Sequence, residues 1–276
     1  MNRIAIQGFT GSFHHEAVEL YFGTGTEIVE CATFRETFNT AADPELSDGG
    51  LIAIENSIAG SILPNYNLLQ KSKLHITGEI YLQIRQNLLA NHGVTLDDIR
   101  EVQSHPMALL QCSDFLEKHR WKLVETEDTA LSAKNIKMHH STHIAAIAGR
   151  FAAKLYSLNI LASNIHTVKK NYTRFLVLKP SKEITASGDE NKASLYFETE
   201  HKKGSLAAVL TTVADNDINL SKLQSFPIPG SDWKYYFHAD MEFTDVDAFN
   251  RTVTALRNKT AALKVYGIYK KGVTYG

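Results

Sequence analysis

The first 180 residues alternate short apolar runs with amphipathic stretches, the pattern of strands separated by helices. Ile4–Ile6 reads as a strand that runs into a glycine-containing turn, with a helix around His15–Phe22. Glu27–Ala32 reads as a strand and Phe34–Ala42 as a helix. Gly50–Ile54 is continuously apolar, as a strand buried on both faces should be. Ile62–Lys71 reads as a helix, and Ile76–Leu89 as extended strands linking two lobes. Val102 opens a strand that stops at Ser104-His105-Pro106, with helix following to His119. Trp121–Glu125, His143–Ala146 and Tyr172–Leu178 read as strands. Asp128–Met138, opened by an aspartate cap, and Gly149–Leu155 read as helices. This alternation predicts βαβ units and mainly parallel sheets.

Pro180–Asn191 (PSKEITASGDEN) is polar, carries Gly and Pro, and reads as a linker. Beyond it a smaller unit follows. Ser194–Glu198, Ile218–Phe226, Trp233–Phe243 and Ala262–Tyr269 read as strands, and Leu206–Asp215 and Val246–Leu256 as helices. The order βαββαβ predicts a ferredoxin-like sandwich, a complete small domain over residues 192–276.

Composition adds exclusions. A chain of 276 residues suits about two domains, and its 43% hydrophobic and 21% charged residues are ordinary for globular proteins. Its 29 basic against 30 acidic residues leave no electrostatic footprint for nucleic acid or an anionic membrane. A small anion held by a few local groups stays open. Cys31 and Cys112 cannot build a disulfide framework and read as free thiols in a reducing compartment. The N-terminus lacks a signal-peptide pattern, and no apolar stretch approaches the roughly 18 residues of a spanning helix. A soluble, cytoplasmic protein is expected.

Ligands of open α/β sheets sit outside the carboxyl ends of the strands. The turns there are Gly8–Phe13, Glu55–Gly60, Ser104-His105-Pro106 with Gln111 in the following helix, Asp128-Thr129-Ala130, and Thr173-Arg174-Phe175. They are rich in hydroxyls, amides and small residues at helix starts, where free N–H groups and the helix dipole favour an anion. Arg174 is the permanent cation of the set and could grip a carboxylate bidentately. Plainer roles compete: tight turns at Gly8 and Gly11, a helix start at Pro106, a cap at Asp128, a surface salt bridge at Arg174. No phosphate loop or GxGxxG occurs, which argues against a nucleotide. His139 and His143 are spaced i, i+4, but at an expected helix end and without a matching acidic ligand, so no metal is expected. Cys112 near His105 reads as an inert buried thiol.

Together these turns resemble the prephenate dehydratase family. Gly8-Phe9-Thr10-Gly11-Ser12-Phe13 is similar to the family's GPxGTFS turn, and Ile54-Glu55-Asn56-Ser57-Ile58-Ala59-Gly60 to its IENSxxG segment. Ser104–Cys112 resembles SHPQALxQC, with Met107 in place of Gln. Asp128-Thr129-Ala130 matches its DTA turn, and Asn171–Phe175 its N-x-T-R-F. The C-terminal unit resembles an ACT domain: Gly204-Ser205-Leu206-Ala207 aligns with GALV and Gln224-Ser225-Phe226-Pro227 with ESRP, with Gln224 and Phe226 replacing a charge of each sign.

The resemblance implies a fold and a reaction. The fold is α/β: a two-lobed catalytic domain of the type II periplasmic-binding-protein kind over residues 1–180, plus the ACT domain at 192–276. Its lobes are expected at about 1–75 with 160–180, and at 76–159. The reaction is the decarboxylative dehydration of prephenate to phenylpyruvate in phenylalanine biosynthesis, without cofactor or metal. Thr173, Arg174 and Glu55 are implied as catalytic. Thr173 would donate to the departing hydroxyl, Arg174 would hold a carboxylate, and Glu55 or His105 is the rival acid. Asn56, Ser57, Ser104, His105, Gln111 and Thr129 are implied substrate contacts. Gly204, Ser205, Leu206, Ala207, Asn219, Leu223 and Ser225 are implied contacts for phenylalanine as allosteric effector. The exposed edges of an ACT sheet predict a homodimer or homotetramer. Arogenate dehydration is the close alternative, and a non-catalytic amino-acid sensor the distant one.

Overall fold

The computed structural model of the chain describes residues 3–180, 188–228, 230–231 and 234–276. Its elements run β1 (Arg3–Gln7), α1 (Phe13–Phe22), β2 (Glu27–Cys31), α2 (Phe34–Ala41), β3 (Gly50–Asn56), β4 (Gly60–Ser61), α3 (Leu63–Lys71), β5 (His75–Gln83) and β6 (Asn87–Ala90). Then come β7 (Glu101–Ser104), α4 (Pro106–Gln111), α5 (Ser113–Leu116), β8 (Lys122–Glu125), α6 (Thr129–Met138), β9 (Ile144–Ala148), α7 (Arg150–Leu155), β10 (Asn159–Ala162) and β11 (Tyr172–Lys179). The C-terminal unit holds β12 (Lys192–Glu198), α8 (Ser205–Ala214), β13 (Asn219–Pro227), β14 (Tyr235–Glu242), α9 (Val246–Arg257), β15 (Ala262–Tyr269) and β16 (Thr274–Tyr275). Most of the expected linker, 181–187, and the expected strand start at Trp233 lie outside the described residues.

Three sheets form. The first has the order β16-β5-β11-β3-β1-β2, with β4 added to β3. The second is β10-β6-β9-β7-β8 and the third β13-β14-β12-β15. The third is antiparallel, with the strand order of a ferredoxin-like sandwich. The first two sheets are mixed rather than mainly parallel. The chain passes from first to second sheet between β5 and β6 and returns between β10 and β11, and β6, β10 and β11 pair antiparallel with their neighbours. The lobe limits shift accordingly. β5 belongs to the first lobe because it pairs with β11 along nearly its whole length. β10 belongs to the second because it pairs with β6. The expected helix from Pro106 to His119 is two short ones, α4 and α5, broken at Cys112.

Helix starts follow local chemistry. Ser12, Thr33, Asp128 and Asp245 cap α1, α2, α6 and α9 by accepting from backbone N–H groups one turn on.

One apolar core crosses from the first lobe into the C-terminal sandwich. Ile52, Ile54, Tyr66, Leu69, Ile76 and Leu176 pack with Tyr196, Phe226, Tyr236, Tyr266 and Tyr269. Gly267 permits this approach, since a Cβ there would stand 1.9 Å from the Ile76 carbonyl oxygen. After the sandwich closes, β16 returns to the first sheet and pairs parallel with β5. The sequence pattern gave no sign of that return.

His238 sits inside this shared core, against the rings of Tyr66, Tyr196, Phe226, Tyr236 and Tyr266. Burial lowers its pKa from 6.5 to about 4, and Lys222 and Lys264 add to the shift against the pull of Asp240. His14, against Phe175, is likewise lowered to about 4 by burial. Both rings are therefore neutral in the fold and protonate more readily once unfolded. Their contribution is complete above pH 6.5 and is lost as pH falls toward 4, up to roughly 3 kcal/mol for each. Urea unfolding between pH 7.5 and 4.5 should show stability falling below 6.5, with a shallower fall in His238→Phe. An identical slope in that variant would contradict the assignment.

Candidate active site

β3 and β11 are neighbours, and their register sets Thr173 opposite Asn56 and Arg174 opposite Glu55. Successive strand residues point to opposite faces. Phe175 and Val177, on the Thr173 side, join the core beneath α1, while Leu176 and Leu178, on the Arg174 side, join the core shared with the sandwich.

On the first face a polar chain crosses the space between the lobes. Asn56 Oδ1 accepts from the backbone N–H groups of Ile58 and Ala59, at 2.9 and 3.0 Å. That fixes the amide, so Nδ2 donates to Asn171 Oδ1 at 2.7 Å and to Thr173 Oγ1 at 3.1 Å. Asn171 Nδ2 then donates to Gln111 Oε1 of α4 at 3.2 Å. Because Thr173 accepts from Asn56, its own O–H remains available to a third group. Asn171 was not anticipated as a contact, although its i−2 spacing from Thr173 is the strand period that places two side chains on one face.

The opposite wall comes from the turn before α1 and from the second lobe. Gly8 has φ +97°, and a Cβ there would stand 3.1 Å from Asp128 Oδ2. Tyr156 donates to the Thr10 carbonyl from across the gap. Asp128 caps α6 through Oδ1, and burial raises its pKa above 3.8 against the pull of two backbone N–H groups and of His105. Thr129 opens α6 beside it. His105 caps α4, its Nδ1 accepting from Met107 N–H.

Three expected contacts have other partners. Ser104 is fully buried and its hydroxyl donates to the Ile147 carbonyl, because the strand alternation that buries Val102 also turns Ser104 inward. Ser57 donates to the Lys170 carbonyl and accepts from Tyr172 N–H, stapling the β3 turn to the start of β11. Glu55 faces the sandwich, where it meets Lys222 Nζ at 2.6 Å.

The largest departure concerns Arg174. Its guanidinium lies on the face away from Thr173, 5% exposed, with every nitrogen engaged. Nε donates to Glu79 at 2.7 Å, Nη1 to Asp240 and Nη2 to the Tyr269 hydroxyl at 3.1 Å. Glu79 is also held by Lys192, and Asp240 by Ser194. Burial alone would lower the Arg174 pKa, but Asp240, Tyr269 and Glu79 raise it well above the ordinary value. Burial likewise opposes ionisation of Asp240, and the Arg174 charge holds its carboxyl below 3.8. In place of the expected grip on a substrate carboxylate, Arg174 forms an ion pair reaching from β11 into the sandwich.

The residues expected to contact an effector lie at the start of α8 and along β13. Gly204 (φ +83°), Ser205 and Leu206 stand at the start of α8, where Ser205 and Leu206 line a 400 Å³ recess with Tyr235 and Phe237. Ala207 follows on the exposed side of that helix, and Asn219, Leu223 and Ser225 lie along the edge strand β13. Phe226 turns inward and stacks on Tyr236, so an apolar ring fills the shared core where the ESRP pattern has a cation. Among the described residues no cluster of three metal-binding side chains occurs, and no helix is long and apolar enough to cross a membrane.

Fold and cleft define a two-lobed α/β domain fused to a ferredoxin-like sandwich, with a hydroxyl–amide chain where the lobes meet. The prephenate dehydratase family profile matches residues 4–183, and the chain belongs to that family. A chloroplastic arogenate dehydratase/prephenate dehydratase of Arabidopsis thaliana is 36% identical, over 99% of this chain and 74% of its own length. The bifunctional chorismate mutase/prephenate dehydratase of Escherichia coli K12 is 31% identical, over 97% of this chain and 70% of its own. Two solved structures share the fold. One is described as a novel type of quorum-quenching acylase, with TM-score 0.87 and 26% identity over 98% of both chains. The other is the Arthrobacter aurescens prephenate dehydratase in complex with L-Phe, with TM-score 0.85 and 24% identity over 98% of this chain and 90% of that one.

Removing one partner from a buried ion pair leaves an uncompensated charge and costs about 3–5 kcal/mol. Asp240→Ala should lower the urea-unfolding free energy by that amount, and the double variant Asp240→Leu with Arg174→Met should recover much of it. Equal stability of wild type and Asp240→Ala would show that the pair is not formed in solution.

Proposed function

We propose that this protein is a prephenate dehydratase, and that Thr173 is the hydroxyl that assists departure of the substrate's ring hydroxyl. The observation that carries this reading is the fixed Asn56 amide donating to Thr173 Oγ1, which orients the hydroxyl and frees its proton. In the reaction the bond from the ring to its carboxylate breaks, and its electron pair enters the ring. The ring C–O bond breaks at the far side, and the departing hydroxide takes up a proton and leaves as water. Carbon dioxide and phenylpyruvate are the other products. Threonine is a weak acid at neutral pH, so its role is that of an oriented donor in a dry cleft, where one such bond contributes about 3 kcal/mol. Glu55, paired with Lys222 on the other face, is poorly placed as the rival acid. His105 remains the alternative donor from the second lobe. The N-terminal ends of α1 and α6, rather than Arg174, supply positive potential for the substrate's carboxylates.

The similarity to an enzyme named for both substrates supports arogenate as a second substrate. The assay that decides is turnover of prephenate and of arogenate, with phenylpyruvate and phenylalanine quantified. Phenylpyruvate formed from prephenate is the expected result. Thr173→Val should lower kcat about 100-fold, and Thr173→Ser should restore most of it. Better turnover of arogenate would move the assignment to that substrate. Ligand binding without any product would move it to a sensor.

The C-terminal sandwich is read as an ACT domain that senses phenylalanine. Asn219, Leu223 and Ser225 lie along β13, an edge strand of the sandwich, and an open edge of this kind supports pairing with a second copy in a homodimer or homotetramer. β13 also touches the catalytic lobe directly. Lys222 Nζ meets Glu55 at 2.6 Å and Ser61 Oγ at 2.8 Å, and Ser61 also donates to Gln224. A shift of β13 therefore pulls on the residue next to Asn56. Lys222→Met should raise the phenylalanine concentration for half-inhibition several-fold in a dose–response measurement. An unchanged value would remove Lys222 from the route.

A further inference from the structure

Beside the polar chain, where α4 faces the β3 turn, lies a recess of 370 Å³. Its apolar lining is Ile58, Met107, Leu110 and Val168, all large side chains more than a third exposed. Its polar lining includes Gln111, Asn171 and His166. His166 is only 2% exposed. Its Nδ1 accepts from Gln86 N–H, so in the neutral ring Nε2 carries the proton, and that buried N–H has no partner. Burial, and the charge of Lys169 behind it, lower the ring's pKa and keep it neutral at pH 7. Gln111 uses its oxygen to accept from Asn171, leaving its side-chain NH₂ without a protein acceptor among the described residues. The recess thus offers the free Gln111 NH₂ and four apolar side chains, with the unpartnered His166 N–H buried in its wall and a lysine close behind. A buried donor without a partner is costly and is expected to be satisfied by something that binds.

We propose that this recess is the subsite for the side chain of the substrate, in which His166 Nε2–H and Gln111 donate to the carboxylate that the reaction retains. Ile58, Met107, Leu110 and Val168 cover the apolar edge of the ligand. The ligand class is a small ring-bearing carboxylate. The assignment rests on the dehydratase reading, and it adds direct hydrogen-bond donors for one carboxylate to the positive potential of the helix ends. Asn171, which lines the recess, accepts from Asn56, and Asn56 donates to Thr173, so two hydrogen bonds connect the recess to the proposed donor.

The test uses the full chain and phenylpyruvate as probe. In wild type, titration should move the imidazole ¹H–¹⁵N resonance of His166 to saturation. His166→Ala should raise KM for prephenate about tenfold with a much smaller change in kcat, and His166→Gln, which keeps a donor, should recover most of the loss. Leu110→Glu changes a side chain 66% exposed, so it leaves the fold intact, and its charge should raise KM similarly and abolish the resonance shift. An unchanged KM in both His166→Ala and Leu110→Glu, or a resonance unmoved by phenylpyruvate in wild type, overturns the proposal. Saturation of the resonance in an enzyme that turns over neither prephenate nor arogenate would overturn the dehydratase reading and leave the carboxylate subsite standing.

Discussion

A guanidinium taken out of water must be met by acceptors on every side, and Arg174 is met by Glu79, Asp240 and the Tyr269 hydroxyl. Glu79 belongs to the neighbouring strand β5, whereas Asp240 and Tyr269 belong to the C-terminal sandwich. This one side chain therefore joins two folding units through the middle of a sheet. Strand alternation then leaves little freedom at the preceding residue. With Arg174 turned to the sandwich, Thr173 must face the cleft, where Asn56 holds its oxygen. The chemical face of β11 is set by the ionic face behind it.

The rest of the first lobe conforms to that arrangement. The aromatic core around Tyr66, Tyr236 and Tyr266 brings the sandwich close enough for Asp240 to reach, and Gly267 removes the one Cβ that would keep β15 away from Ile76. β16 then returns to pair with β5 beside Glu79 and closes the edge of the sheet. Between this fixed first lobe and the second lobe run two short connections, one through Gln86 and one through His166, hydrogen-bonded to each other. The second connection, through His166, Thr167 and Val168, also lines the proposed side-chain recess.

Much of this was legible in the sequence, for reasons that are local. Helix period, strand runs and caps such as Ser12 and Asp128 leave traces within a few residues, and most elements fall where those traces put them, the short strands β4, β10 and β16 and the break between α4 and α5 excepted. The turns at Asn56, Gln111 and Thr173 were identified by their motifs, and the structure brings these three side chains into one hydrogen-bonded chain. Arg174 misled because its partners lie 95 and 66 residues away, and pairing at that range leaves no periodic mark. The same holds for β16 and for Lys222 on Glu55. Ser104 is a different case. The alternation that buries Val102 was visible and implied a buried Ser104, but the motif around it drew attention to the cleft instead.

The central claim is that Thr173 faces the substrate while Arg174 stays with the sandwich. A crystal structure of the protein with phenylpyruvate bound tests it most directly. The account predicts the ligand between Asn56, Thr173 and Gln111, with the Arg174 guanidinium still on Asp240 and Glu79. A ligand carboxylate on Arg174, with its contact to Asp240 broken, would contradict it.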